Sequence, residues 1–110
     1  IIISTPQEIA LQDVKRGIRM FDKLKVKILG LIDNMSHFIG DDGKKYAIFG
    51  EGGVKKTAEE FKKDFMGEIP IDPEVGKQGD LGSPIVESKP DHEISKKYFK
   101  FAEKIKSIYL

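Results

Sequence analysis

Three short polar stretches could carry chemistry, because each follows an apolar run of the kind that forms a buried strand. They are residues 4–7 (STPQ), 33–36 (DNMS) and 70–73 (PIDP). The carboxyl ends of parallel strands share one edge of a sheet, and ligands bind at that edge in α/β proteins. The three stretches could therefore converge on one pocket. The alternative is that they are ordinary turns, which use the same residue types.

Asn34 is the most informative side chain in these stretches. A carboxamide offers both a hydrogen-bond donor and an acceptor, so it can bind the edge of a purine base. Asp33 and Asp72 could hold a ribose hydroxyl or an ordered water. All three side chains could equally cap their own turns. At this point the sequence allows a nucleotide-binding role and a purely structural one.

The other residue types that do chemistry form no recognisable pattern. His37 and His92 lie far apart in the sequence without ligand-like spacing, and we expect both to be structural or solvent-facing. The glycines at 50, 52 and 53 lack the Gly-Lys-Ser/Thr ending of a P-loop and do not follow a strand, so they predict a helix entry. No nucleophile with its base and no carboxylate pair stands out. The motifs thus predict no catalytic residue and no metal site.

The composition narrows the classes of protein. The chain has 110 residues, of which 39% are hydrophobic and 34% are charged, as expected for one domain with a modest core. A net charge of +1 favours neither nucleic acid nor an anionic membrane as a partner. Cysteine is absent, which excludes disulfides and thiolate ligands within these residues. No apolar run approaches the roughly 18 residues of a membrane helix, and we expect a cytoplasmic location.

The first half of the chain alternates between strand and helix patterns. The β-branched run IIIST predicts a buried strand that leads into a helix capped by Thr5, with Pro6 in the first turn. Residues 26–33 (VKILGLID) predict a second buried strand. Residues 37–49 predict a small β-hairpin, because an Asp-Gly pair separates two short apolar segments. The glycines after the hairpin then lead into a second helix.

The second half continues this alternation. Residues 65–70 predict a third strand, residues 73–78 one helical turn within a loop, and Asp91 the cap of a last helix. The apolar stripe of that helix consists of Ile94, Tyr98, Phe101, Ile105 and Ile108. The order of elements predicts an α/β fold in which residues 1–110 form a single domain. We expect three layers around a parallel sheet with right-handed crossovers.

Five sequence blocks occur in an order that carries a family signature. They read STPQEIALQDVKRGIRMF, GLIDNMSHFI, IFGEGG, MGEIPIDPEV and GDLGSPIV, and they extend from residue 1 to about residue 90. Together they resemble the C-terminal half of the Mrp/ApbC branch of the MinD-like P-loop ATPases, the iron–sulfur cluster carrier family. Any one block would be weak, but five blocks with family-like spacing make chance similarity improbable.

The resemblance implies a cytosolic ATP-binding protein that dimerises and uses ATP to load or transfer an iron–sulfur cluster to apo iron–sulfur client proteins. It also implies that Asn34, Pro70 and Asp72 line the adenine and ribose side of the nucleotide pocket. The helix after STP, which includes Asp13, would lie near the dimer face in family members. A partial P-loop NTPase fold is the expected architecture.

The departures from the family pattern limit what these residues can do. The phosphate-binding loop and the Mg²⁺-associated aspartate of the family belong to the half that would precede Ile1, so the resemblance implies a fragment that binds ATP weakly and does not hydrolyse it. Asp33 stands where members of the resembled family usually have glutamate. Gly40 and Gly43 stand where many members carry Cys-x-x-Cys, and we expect no bound cluster on this chain.

Two other functions remain open. The chain could be a non-enzymatic dimerisation or interaction module without ATP hydrolysis, or an unrelated flavodoxin-like regulatory domain. The first strand would have lost a neighbour if the chain is a fragment. We therefore expect self-association along the strand edge from Ile1 to Ser4.

Overall fold

The computed structural model describes all of residues 1–110. Its elements are β1 (Ile2–Ser4), α1 (Glu8–Lys23), β2 (Leu31–Ile39), β3 (Lys45–Tyr46), α2 (Gly53–Glu60), β4 (Phe65–Ile71), α3 (Pro73–Asp80), α4 (Ile85–Ser88) and α5 (Glu93–Tyr109). The chain divides into two compact units, residues 1–71 and residues 72–110. The first unit holds every strand together with α1 and α2, and the second holds α3, α4 and α5.

The sheet of the first unit is built around β2. Strands β1 and β4 pair with β2 in parallel, one on each side, and the two-residue β3 pairs with the end of β2 in an antiparallel hairpin. The hairpin turns at Asp42 and Gly43, where Gly43 has a φ of +76°. The predicted α/β class with parallel strands and a hairpin excursion is therefore confirmed.

The core of the first unit lies between the sheet and the two helices that connect its parallel strands. Apolar residues at helical spacing on α1 and α2 meet one residue of β2. The buried cluster consists of Leu11, Val14, Ile18, Leu31, Val54 and Ala58. Since Ile18, Leu31 and Val54 are fully buried, this cluster fixes the position of β2 and hence of the polar residues at its end.

The second strand begins and ends later than the sequence predicts. Residues 26–30 are not a strand, and β2 continues to Ile39 instead of stopping at Asp33. The reason lies in the end of α1, where Lys25 adopts a φ of +57° and the Val26 amide donates to the Phe21 carbonyl. That turn occupies the start of the predicted strand, and ladder pairing begins only at Gly30, whose carbonyl accepts from the Ile2 amide.

Two helix starts also differ from the prediction. Helix α1 begins at Glu8 with Gln7 as its N-cap, because the Thr5 hydroxyl bonds the Gln7 side chain instead of a backbone amide. Helix α5 begins at Glu93 with His92, not Asp91, as the capping residue. The predicted turn at 73–78 is a longer helix, α3, and the short α4 was not predicted.

The second unit packs its helices around a small core of its own. Ile85 of α4 and Ile94 of α5 are buried, and the fully buried Ser95 hydroxyl lies 3.0 Å from the Ile85 carbonyl and 2.7 Å from the Lys89 carbonyl. These contacts hold the end of α4 against α5 and leave no buried hydroxyl unsatisfied there. None of the helices in either unit is long and apolar enough to cross a membrane.

Candidate functional site

Strand β2 is irregular where the sequence places its most informative side chain. The register with β4 runs from Asn34 opposite Ile69 directly to Phe38 opposite Ile71, so β2 carries two extra residues in this stretch. Within it, Met35 adopts a φ of +54°, which is uncommon for a residue with a side chain. Strained backbone of this kind concentrates at functional sites.

Asn34 presents a free carboxamide at the start of this bulge. Its side chain is half-buried and has no hydrogen-bond partner in the chain. A capping role would require a bond to a nearby backbone amide, and Asn34 makes none. The donor and the acceptor of the carboxamide are therefore both available to a ligand.

The structure places the other two predicted site residues in different ways. Pro70 lies on β4 next to Ile69, which is the register partner of Asn34 on β2. Pro70 and Asn34 therefore occupy neighbouring strands. Asp72 is the first residue of the second unit, where its Oδ1 accepts the Glu74 amide at 2.8 Å and caps α3. The nucleotide-binding role of Asn34, Pro70 and Asp72 stays a prediction.

An acidic pair lies in the sheet beside Asn34. Ser4, Asp33 and Glu68 are register partners across β1, β2 and β4, so their side chains point to the same face. Asp33 is only 4% exposed, and its Oδ1 has no hydrogen-bond partner. Burial, and after it the charge of Glu68, raise the pKa of Asp33 to about 6, while Lys45 acts in the opposite direction.

The neighbouring Glu68 lies near a lysine and a histidine. Its Oε1 lies 3.5 Å from the Lys45 ammonium and 3.7 Å from His37 Nδ1. His37 Nδ1 also lies 2.7 Å from the Ser36 hydroxyl, which is 3.3 Å from the Ile69 carbonyl. His37 is thus buried and hydrogen-bonded, which fits the structural one of its two predicted roles.

Sequence reasoning missed Glu68 and the pair that it forms with Asp33. The available signal was one acidic residue inside each of two apolar strands. Only the register, which brings the two acids side by side, shows that they interact.

The glycines before α2 form the predicted helix entry. Gly52 is the N-cap of α2 in the left-handed conformation, with a φ of +73°. A Cβ on Gly50 would lie 3.1 Å from the Pro6 carbonyl oxygen, and one on Gly53 would lie 3.2 Å from the same oxygen and 2.6 Å from Leu11 Cδ1. The IFGEGG block therefore packs closely against the STPQ block.

The hairpin tip is closed by its own polar groups. The Gly40 amide donates to Lys44 and the Gly43 amide to Gly40, both at 2.9 Å. The Asp42 carboxylate accepts from the Tyr46 hydroxyl and from the Lys44 amide, and these bonds lower the pKa of Asp42. No group of three or more His, Cys, Asp or Glu side chains is arranged to hold a metal ion. The donors here do not fit an iron–sulfur cluster, whose usual ligands are thiolates.

Comparison with known proteins identifies the family. The model described as ParA, NUBPL iron-transfer P-loop NTPase, matches residues 1–106. The chain belongs to this iron-transfer P-loop NTPase family. An iron–sulfur cluster carrier protein from Aquifex aeolicus is 41% identical over 98% of the chain, and the iron–sulfur cluster transfer protein NUBPL of Dictyostelium discoideum is 41% identical over 96%. The chain spans about a third of these relatives, 30% and 33% of their lengths.

One solved structure agrees with membership of the iron-transfer P-loop NTPase family, and a second shares the fold. A nucleotide-binding protein from Archaeoglobus fulgidus, in complex with ADP and with cobalt found in it, is 37% identical and has a TM-score of 0.64 over 78% of this chain and 36% of its own. The cell division ATPase MinD from Pyrococcus furiosus has a TM-score of 0.71 at 22% identity, over 96% of this chain and 40% of its own. The second likeness shows the fold alone.

Proposed function

We propose that residues 1–110 supply the nucleobase side of an adenine-nucleotide site in a cytoplasmic iron–sulfur cluster carrier ATPase. The observation that carries this proposal is the free, half-buried Asn34 carboxamide at the bulge within β2. A polar group that a core strand positions, and that forms no hydrogen bond within the protein, is available to a polar ligand. The ADP complex of the Archaeoglobus fulgidus relative supports an adenine nucleotide as that ligand.

The phosphate side of such a site needs groups that these residues do not include. The sequence has no Gly-x-x-x-x-Gly-Lys-Ser/Thr element, whose backbone amides and lysine bind the phosphates. ATP hydrolysis also depends on Mg²⁺, which neutralises charge on the phosphates when it is bound. The proposed contribution of this chain is therefore base recognition, and ATP hydrolysis would belong to a longer protein.

Nucleotide titration tests the base site. We expect the 110-residue chain to bind ATP at about millimolar Kd, because triphosphate contacts supply much of the affinity in P-loop proteins. Replacing Asn34 with alanine should weaken binding about tenfold, the effect of losing hydrogen bonds of about 1.4 kcal/mol. Amide chemical shifts followed during ATP addition would measure both values.

The matched control for that titration is Gln12→Ala. Gln12 is an exposed carboxamide on α1 that bonds Glu8, so its removal changes the same functional group away from the proposed site. Micromolar binding, or binding that Asn34→Ala and Gln12→Ala weaken equally, would show that the pocket lies elsewhere.

The cluster-carrier role comes from the family and has no ligand in these residues. Related proteins are named as carriers or transfer proteins for iron–sulfur clusters. The cluster would be cargo, passed to apo iron–sulfur client proteins, and its thiolate ligands would have to come from outside residues 1–110. Within the carrier, these residues would contribute nucleotide recognition and part of the dimer face.

A non-enzymatic interaction module is the second candidate, and the free edge of β1 favours it. Strand β1 pairs only with β2, and Ile1 and Ile3 are 46% and 59% exposed. An unpaired strand edge with large apolar side chains is a template for pairing with another chain. We propose that two copies associate along this edge, from Ile1 to Ser4.

Sedimentation of edge variants tests the association. We expect Ile3→Lys to raise the dimer dissociation constant at least about tenfold, because the contact would lose roughly 1.5 kcal/mol or more of apolar burial. The control is Ile9→Lys on α1, where an even more exposed isoleucine (79%) lies off the edge. A wild-type chain that stays monomeric at high concentration would contradict the proposal.

A further inference from the structure

The turn between β2 and β3 holds the one Asp-Gly pair of the sequence, Asp42 and Gly43. Such a pair is open to a rearrangement of the backbone, because glycine has no side chain that shields its nitrogen. Both residues are exposed, so water reaches the bond between them. The turn is therefore a place where the backbone itself can be modified.

The rearrangement consists of two steps that balance. The Gly43 nitrogen attacks Cγ of the Asp42 carboxylic acid, and its proton leaves with the carboxyl hydroxyl as water, so that a succinimide ring remains. Water then adds back to either ring carbonyl. Breaking the new N–Cγ bond restores aspartate. Breaking the original peptide bond leaves Gly43 attached to the side-chain carbon, and residue 42 becomes isoaspartate.

Hydrogen bonds hold both reacting groups in the folded hairpin. The Gly43 amide donates to the Gly40 carbonyl at 2.9 Å, and it must lose this bond before its nitrogen can attack. Asp42 Oδ1 accepts the Lys44 amide at 2.9 Å, and Oδ2 accepts the Tyr46 hydroxyl at 2.5 Å. Because both carboxylate oxygens are held, Cγ cannot turn toward the nitrogen without losing a bond.

The Tyr46 hydroxyl also keeps Asp42 in its unreactive form. Its bond, and after it the bond from the Lys44 amide, lower the pKa of Asp42. The ionised carboxylate resists attack, since a hydroxyl can leave as water only from the acid. The Lys44 bond is local to the turn, whereas the Tyr46 bond requires that β3 stay paired with β2. Protection of the turn therefore depends on the folded hairpin.

We infer that the bond between Asp42 and Gly43 is a site of isoaspartate formation, and that the Tyr46 hydroxyl restrains this reaction while the hairpin is folded. Isoaspartate adds a methylene to the backbone of the turn. Strand β3 consists of Lys45 and Tyr46 alone, and its pairing with β2 depends on the geometry of this turn. The modification would therefore release β3 from the sheet.

Incubation in oxygen-18-labelled water tests the inference. Each succinimide that hydrolyses takes up a labelled oxygen at residue 42, which peptide mass spectrometry detects. We expect slower labelling in the folded wild type than in the urea-unfolded chain. We expect Tyr46→Phe to be labelled about fivefold to tenfold faster than the wild type, through loss of one hydrogen bond to a charged group. The control Tyr98→Phe removes the hydroxyl of another partly exposed tyrosine and should match the wild type.

Each outcome of this experiment bears on the inference. An isoaspartate methyltransferase identifies the product, and absence of label and isoaspartate at residue 42 in the unfolded chain would overturn the modification site. Equal rates in the folded and unfolded wild type would overturn the protection, and equal rates in the wild type and Tyr46→Phe would overturn the role of the hydroxyl. Amide shifts of Phe38 and Ile39 show whether the hairpin of Tyr46→Phe stays paired. If the hairpin opens, labelling should reach the rate of the unfolded chain, and a slower rate would contradict the role of Tyr46.

Discussion

Replacing Asp33 with asparagine is expected to stabilise the chain by about 2–3 kcal/mol at pH 8 and to change its stability little at pH 3.5. The charged form of Asp33 is costly because the side chain is buried, one oxygen has no hydrogen-bond partner and Glu68 lies beside it. An amide of the same shape removes the charge and offers a donor to the side of the sheet that holds Glu68.

The pH window follows from the direction of the pKa shift. The pKa of Asp33 rises from 3.8 to about 6 on folding, chiefly through burial. Between these values the unfolded chain releases the proton and the folded chain keeps it, so the contribution of this group to stability falls as the pH rises. Above about pH 6 both states are ionised and the loss is complete. Asp33→Asn should lack this decline.

Urea unfolding of both proteins from pH 3.5 to pH 8 measures the effect as a difference that grows with pH. The control is Asp41→Asn, which removes the same charge from an exposed position in the hairpin. If Asp33→Asn differed from the wild type by the same amount at every pH, or matched Asp41→Asn throughout, Asp33 would not carry the buried charge.

The sequence located the polar residues that follow the buried part of β2 but could not define the bounds of that strand. The rule that polar residues follow a buried strand selected Asn34, although β2 continues past it in a bulge. The apolar pattern of residues 26–33 cannot distinguish strand from connection, because pairing with β1 and β4 decides where the ladder begins. Local patterns thus located Asn34, while the neighbouring strands determine its conformation.

Contacts between distant residues account for what the sequence could not predict. Asp33 and Glu68 interact because of register, and His92 meets Asp72 because two helices begin beside each other. The sequence analysis considered each polar side chain by itself, as a turn residue or a structural residue. His37 fits a structural role, because its ring bonds the Ser36 hydroxyl. The spacing of residues along the sequence does not indicate such a pair when the two residues belong to different helices or strands.

Replacing Gly50 with alanine is expected to destabilise the first unit by about 2–3 kcal/mol. Gly50 has a φ of +117°, a conformation that costs residues with a Cβ roughly 1–3 kcal/mol. The new Cβ would also lie 3.1 Å from the Pro6 carbonyl oxygen, and that oxygen belongs to the backbone of a buried residue next to β1. Strain and crowding therefore act together at this position.

The comparison with Gly52→Ala separates these two causes. Gly52 also has a positive φ, +73°, but a Cβ there would meet nothing within 4 Å, so alanine should cost only about 1 kcal/mol. Urea unfolding with an unchanged m-value measures both costs. If Gly50→Ala lowered the free energy of unfolding no more than Gly52→Ala does, the backbone near Pro6 would be able to move away from the new Cβ. A larger cost at Gly50 means that these glycines serve the close approach of two chain segments, a structural need that explains them without a bound phosphate.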